Sequence, residues 1–134
     1  MLPDHSAPMA QLRNTIYDAI SKYDLTTAVE KYRELITQEP NQVLPQKEQL
    51  EIANHSMSMK DFMLATEAYE KFLKYFADSP QAQQVELLLG IIYSRYLNNH
   101  ARAEELLQKA KQHLKDPNQI TLCEEELKRL NQGV

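Results

Sequence analysis

The stretch Asp61-Phe62-Met63-Leu64-Ala65-Thr66-Glu67-Ala68-Tyr69-Glu70-Lys71-Phe72 decides how this chain is read. Ala65, Tyr69 and Phe72 fall at i, i+4 and i+7, one face of an α-helix. Asp61 stands where a carboxylate accepts from the free amides of the first helical turn. The same spacing occurs upstream as Asp24-Leu25-x-x-Ala28-x-x-x-Tyr32-x-x-Leu35, matching position for position. A weaker third copy reads Asn99-His100-x-x-Ala103-x-x-x-Leu107-x-x-Ala110. A supersecondary unit that recurs in this way cannot bury its apolar face alone and must stack on its copies.

Working outward, the apolar residues Leu12, Ile16, Ala19 and Ile20 predict a first helix from Pro8 to about Tyr23. Asp24 caps the second, which stops at Glu39-Pro40, and residues 40–45 form the longest connection. Pro45 opens the third helix, which carries Leu50, Ile52, Ala53 and Met57; Asp61 caps the fourth, ending near Phe76. Ser79-Pro80 and Asp116-Pro117 are both cap-plus-proline signals. They open a fifth helix, Gln81 to Leu97, and a seventh with Ile120, Leu122 or Cys123, Leu127 and Leu130 as its apolar stripe. The turn at Asn98-Asn99 separates the sixth, which runs to about Leu114. Turns this short within each pair force antiparallel neighbours. β-branched residues never alternate with polar ones over a strand length, so the expectation is all-α. Residues 1–7 read as a flexible lead-in, 8–131 as one domain and 132–134 as a tail.

The 134 residues are 43% hydrophobic with only two glycines, enough apolar content for a helical core. The 15 basic and 19 acidic residues are intermixed at a net charge of −4, which argues against nucleic acid as a partner. Lys109, Lys111, His113 and Lys115 read as a solvated helix end favoured by the helix dipole. The single cysteine, Cys123, excludes an intrachain disulfide framework and favours the cytosol. No apolar run suits direct membrane insertion, and Met1 to Pro8 lacks the pattern of a signal peptide.

At Leu89-Gly90-x-x-Tyr93 followed by Ala103, Leu107 and Ala110, the chain resembles the tetratricopeptide repeat family. Ile52, Ala53, Ala65, Tyr69 and Phe72 carry the resemblance in a second unit, and Ala28, Tyr32, Leu35 and Pro40 in a first. It covers about residues 9–114 and implies a right-handed α-solenoid of three antiparallel helix pairs, with the seventh helix as a solvating cap. Small Gly90 and Ala103 would sit where two helices cross. The chain departs from the family in its period: Ala28 to Ala65 spans 37 residues and Ala65 to Ala103 spans 38, against 34 in the family. Longer loops and one extra residue in the Leu97–His100 turn would absorb the excess. Ile16 and Ala19 stand where a small residue and an aromatic are expected. The run from Leu88 to Leu97, with Arg102-Ala103-x-x-Leu106-Leu107 and Asp116-Pro117-x-Gln119, resembles repeat domains attached to bacterial rhomboid-like membrane proteins. That implies a cytoplasmic appendage of a larger protein.

Nothing in the sequence assembles catalytic chemistry. His5, His55, His100 and His113 do not pair at metal-ligand spacing, and no glycine-rich phosphate loop or Gly-x-Ser-x-Gly is present. Cys123 reads as a half-buried structural thiol raised by its acidic neighbours, and Glu124 to Glu126 as a solvated face. Tyr32, Tyr69 and Tyr93 read as packing residues; Met57, Met59 and Met63 as core filling. The expectation is a non-enzymatic interaction module without cofactor or metal. The resemblance places Arg13 and Tyr17, then Lys47, Asn54 and Met57, then Leu87, Ile91 and Arg95, on a concave groove. Arg13, Lys47 and Arg95 would hold a carboxylate-bearing peptide or partner domain while Tyr17 and Met57 pack its apolar side chains. Gln84 and Leu88 occupy positions where the carboxylate clamp of chaperone-binding members needs cations. Self-association as a homodimer, burying an end of the stack, is the rival expectation. Replacing Ala65→Leu should destabilise the fold by roughly 1–3 kcal/mol through overpacking, read from denaturant unfolding; a neutral result would mean that Ala65 is not at a crossing.

Overall fold

Three residues with left-handed backbone mark the turns inside the repeat: Tyr23, Lys60 and Asn98, at φ of 59°, 62° and 52°. Each directly precedes a capping residue. Asp24, Asp61 and Asn99 accept from the amides of Thr27, Leu64 and Arg102, each at 3.2 Å. At the first turn the Asp24 and Tyr23 amides donate back to the Ala19 and Ile20 carbonyls at 2.8 and 3.0 Å. At the second, the Asp61 and Lys60 amides donate to Ser56 and Met57 at 2.9 and 3.0 Å. This paired 6→1 and 5→2 closure satisfies carbonyls that a helix end leaves free. It offsets the roughly 1–2 kcal/mol that a side chain costs in the left-handed region. The third turn is wider, with the Leu97 amide on the Ile92 carbonyl at 3.1 Å and the Asn99 amide on Tyr93 at 3.0 Å. The extra residue of the third copy is therefore taken up by a loosened last helical turn.

The computed structural model describes residues 6–133. Among them the elements are α1 (Ser6–Ser21), α2 (Leu25–Gln38), α3 (Gln46–Ser58), α4 (Phe62–Tyr75), α5 (Ala82–Arg95), α6 (His100–His113) and α7 (Pro117–Asn131). No strand occurs among the described residues, and the fold class is all-α. Positions 6 and 7, expected in the lead-in, are already helical; Met1 to His5 and Val134 lie outside the described residues. Pro45 is the N-cap of α3, not its first helical residue, with extended backbone at ψ 159°. Ser79 does not cap α5 directly. Its hydroxyl accepts from the Gln81 amide at 3.1 Å and its carbonyl from Ala82 at 3.0 Å, so a turn precedes the helix. Asp116-Pro117 behaves as expected, Asp116 accepting from the Asn118 amide at 2.8 Å with proline opening α7.

All nine repeat positions, Ala28, Tyr32, Leu35, Ala65, Tyr69, Phe72, Ala103, Leu107 and Ala110, are fully buried. The chain forms two compact units that meet in sequence between Ala68 and Tyr69, inside α4. In the first, α1 packs on α2 and α2 on α3. Its interior holds the fully buried amide of Gln49, whose Oε1 accepts from the Leu44 amide at 2.9 Å. Gln49 Nε2 donates to the Tyr32 hydroxyl and the Ala68 carbonyl, both at 3.1 Å. Tyr32 in turn donates to Glu67 at 2.8 Å. Both polar atoms of the Gln49 amide and the Tyr32 hydroxyl thus find partners, which keeps their burial from costing about 1–3 kcal/mol apiece.

In the second unit α5 packs on α6, and α7 covers both. α5 and α6 approach most closely at Gly90. A Cβ there would lie 2.8 Å from both Cγ and Cδ2 of Leu107 and 3.5 Å from the Ala103 carbonyl oxygen. Leu87, Ile91, Leu107 and Ala110 then form a shelf that receives Cys123 and Leu127 of α7, with Leu114, Leu122 and Leu130 at its margin. Gly90→Ala should destabilise by about 1–3 kcal/mol, because overpacking at this contact outweighs the roughly 0.5–1 kcal/mol of helix propensity gained. Urea unfolding followed by helical circular dichroism checks this; unchanged or raised stability would contradict it.

Candidate functional site

Open clefts follow one side of α6 in the second unit. The first, about 390 Å³, is lined by Glu70, Leu73, Lys74, Glu86, Arg102, Glu105, Leu106 and Lys109. The next, about 280 Å³, adjoins it at Leu73, Glu86 and Lys109 and adds Ala77, Ala82, Gln83 and His113. A third, about 350 Å³, shares Gln83 and His113 with the second and ends at Lys115, Asp116 and Gln119. Arg102, Leu106, Lys109 and His113 lie on one stripe of α6. From Arg102 to His113, eleven steps of about 1.5 Å give the groove a length of about 16 Å, roughly five residues of extended chain at about 3.3 Å each.

The charges along this groove differ in how well they are matched. Glu70 receives Arg102 through Nε at 3.2 Å and Nη2 at 2.5 Å, and the Tyr93 hydroxyl at 2.9 Å. Burial and then Glu70 push the Tyr93 phenol up to about 12. Arg102 also meets Glu105 at 3.0 Å. Glu86 is different. Its side chain is 4% exposed, and its ion-pair partner among the described residues, Lys109, stands 3.8 Å away and is 69% exposed. Burial raises the Glu86 carboxyl above its ordinary range, only partly countered by Lys109, His113 and Arg102.

The residues expected from sequence fall in different places. Asn54 lines an apolar cleft of about 390 Å³ in the first unit with Tyr23, Leu25, Glu51, His55 and Ser58. Arg13, Tyr17, Lys47 and Met57 are not among its lining residues. Lys47 is exposed, while Arg13, Tyr17 and Met57 are half-buried, and Arg13 Nε has no hydrogen-bond partner among the described residues. On α5 the expected groove is occupied: Leu87 and Ile91 are buried against α7. Arg95 is turned to α7 as well, donating from Nε to Glu126 at 2.8 Å and pairing with it again through Nη2. Met59 and Met63 are exposed, not core filling, because Met59 sits past the end of α3 and Met63 on the outer side of the first turn of α4. Glu124 and Glu125 are solvated as expected, but Glu126 is 1% exposed. Cys123 is fully buried, its thiol donating to the Leu107 carbonyl at 3.1 Å, and burial, then Glu124, raises it above the usual thiol range.

Glu86 and Glu70 escaped the sequence reading. A signal for Glu86 existed: it sits on the apolar stripe of α5, four residues after Ala82 and four before Gly90. Among the described residues no three His, Cys, Asp or Glu side chains gather as a metal ion would need, and no helix is long and apolar enough to cross a membrane. No protein-family model and no curated protein matches the chain.

Glu126 shows how a carboxylate is stabilised in this interior. Burial pushes its pKa up, but Arg95 and Arg129, the latter at 3.2 Å, outweigh this and hold it below the usual carboxylate range. The folded value being the lower one, this stabilisation is present above the unfolded pKa and is lost as pH falls through the folded value. Glu126→Gln should therefore cost about 1–2 kcal/mol at neutral pH, with the difference shrinking towards zero as acid protonates Glu126 in the parent. Chemical unfolding at several pH values reads both; a pH-independent difference would refute the pairing.

Proposed function

We propose that this chain is a non-catalytic interaction module built as a right-handed tetratricopeptide-like repeat, three helix pairs with α7 as cap, and that it binds a linear segment of a partner protein. The clefts along α6 carry this reading. It offers a groove about 16 Å long, with Leu73 and Leu106 among its lining and charged residues along its length. Extended peptides bind such surfaces by seating alternate side chains in successive clefts. The repeated turns at Tyr23, Lys60 and Asn98 support the repeat architecture, since each closes a helix pair at the same step of the pattern. Arg13, Tyr17, Lys47, Asn54 and Met57 belong to the first unit and stand as a separate candidate surface.

Self-association is a second reading, favoured by Tyr23 at 89% and Met63 at 70% exposure, which are large apolar side chains left in water. Light scattering from 5 to 200 µM (concentrations of about the range where weak dimers form) separates the two: a constant monomer mass removes self-association. For the module itself, a displayed library of random linear peptides should yield binders of roughly micromolar Kd. Their amide shift changes should fall on 102–113 and 83–86. Failure to select any peptide, or shifts confined to other helices, would remove the groove reading.

A further inference from the structure

Of the charged groups along the α6 groove, Glu86 is the one whose burial exceeds its compensation. Its carboxylate is 4% exposed and lines two adjoining clefts, yet its cation, Lys109 Nζ, stands at 3.8 Å, beyond hydrogen-bond length. Glu70 shows what full compensation looks like in the same unit, with a two-point guanidinium contact and a phenol. A buried carboxylate without hydrogen-bond donors is destabilising, and a planar guanidinium is the group best shaped to supply two. Lys109 is 69% exposed on a long flexible stem, so it can yield its place to a competing cation.

We propose that Glu86 is the specificity site of the groove and takes a basic side chain, arginine by preference, from the partner's extended segment. This rests on the groove reading above. Leu73, half-buried at the groove wall, would receive an apolar residue flanking the arginine, and Lys109 would swing towards solvent as it enters. The segment is thus basic-apolar, the opposite charge preference to the carboxylate-bearing peptide expected from sequence.

The test uses the whole chain and capped hexapeptides with one central arginine between leucines, titrated by amide shifts. Companion peptides carry lysine, citrulline or glutamate at the centre. The arginine peptide should bind about ten-fold or more tightly than its neutral citrulline isostere, a difference of about 1.4 kcal/mol. Glu86→Gln should erase that preference while leaving the citrulline peptide's affinity unchanged, and Lys109→Ala should strengthen arginine binding. Citrulline or glutamate binding as well as arginine, or an arginine preference that survives Glu86→Gln, would overturn the Glu86 assignment with the groove intact. Absence of any shift on 102–113 with every peptide would overturn the groove itself, and the assignment with it. An unfolding midpoint for Glu86→Gln at or above the parent's at neutral pH shows that a loss of preference is not a loss of fold.

Discussion

The distance between α5 and α6 is set by what Gly90 lacks. With no side chain there, Leu107 lies where a Cβ would otherwise be, and the Ala103 backbone comes within van der Waals range. Close-packed interiors transmit such a constraint, because their side chains cannot slide without opening voids. Two consequences follow in the second unit. Leu87 and Ile91 align with Leu107 and Ala110 to make the shelf on which Cys123 and Leu127 of α7 rest. The stripe of α6 carrying Arg102, Lys109 and His113 remains open to solvent beside Leu73 and Glu86.

Buried charge in this protein is compensated unevenly. Glu126, held by Arg95 and Arg129, fastens α7 to α5, and Glu70, held by Arg102 and Tyr93, fixes α6 and α5 to the end of α4. Gln49 does the same for neutral groups in the first unit, joining the Leu44 amide, the Tyr32 hydroxyl and the Ala68 carbonyl. These contacts hold elements in register. Glu86 has burial without equivalent donors, and it lies where clefts meet. Proteins leave such imbalances at sites that a ligand completes more often than in settled core.

Much of the fold was legible because its signals are local. Asp24, Asp61 and Asn99 cap their helices through side-chain geometry spanning three residues, and the i, i+4, i+7 faces they introduce are buried throughout. The start of α1 at Ser6 and the turn at Ser79 were not, since a nearby proline suits a cap, an N1 position and a turn alike. The site was far less legible. Arg95 reads as a free cation until Glu126, 31 residues later, is brought to it. Lys109 and His113 read as part of an alternating basic run until α5 sets Glu86 beside them. Pairings of that kind depend on which helix faces meet, and no local spacing encodes them.

The close approach at Gly90 can be isolated by a double-mutant cycle on Gly90→Ala and Leu107→Ala, measured by equilibrium urea unfolding. If contact between position 90 and Leu107 sets the helix spacing, trimming Leu107 relieves the clash. The double variant should then be more stable than the sum of the single losses predicts, by about 1 kcal/mol or more. Additivity within about 0.3 kcal/mol would show that α5 and α6 do not meet there, and would contradict the account of how the second unit is built.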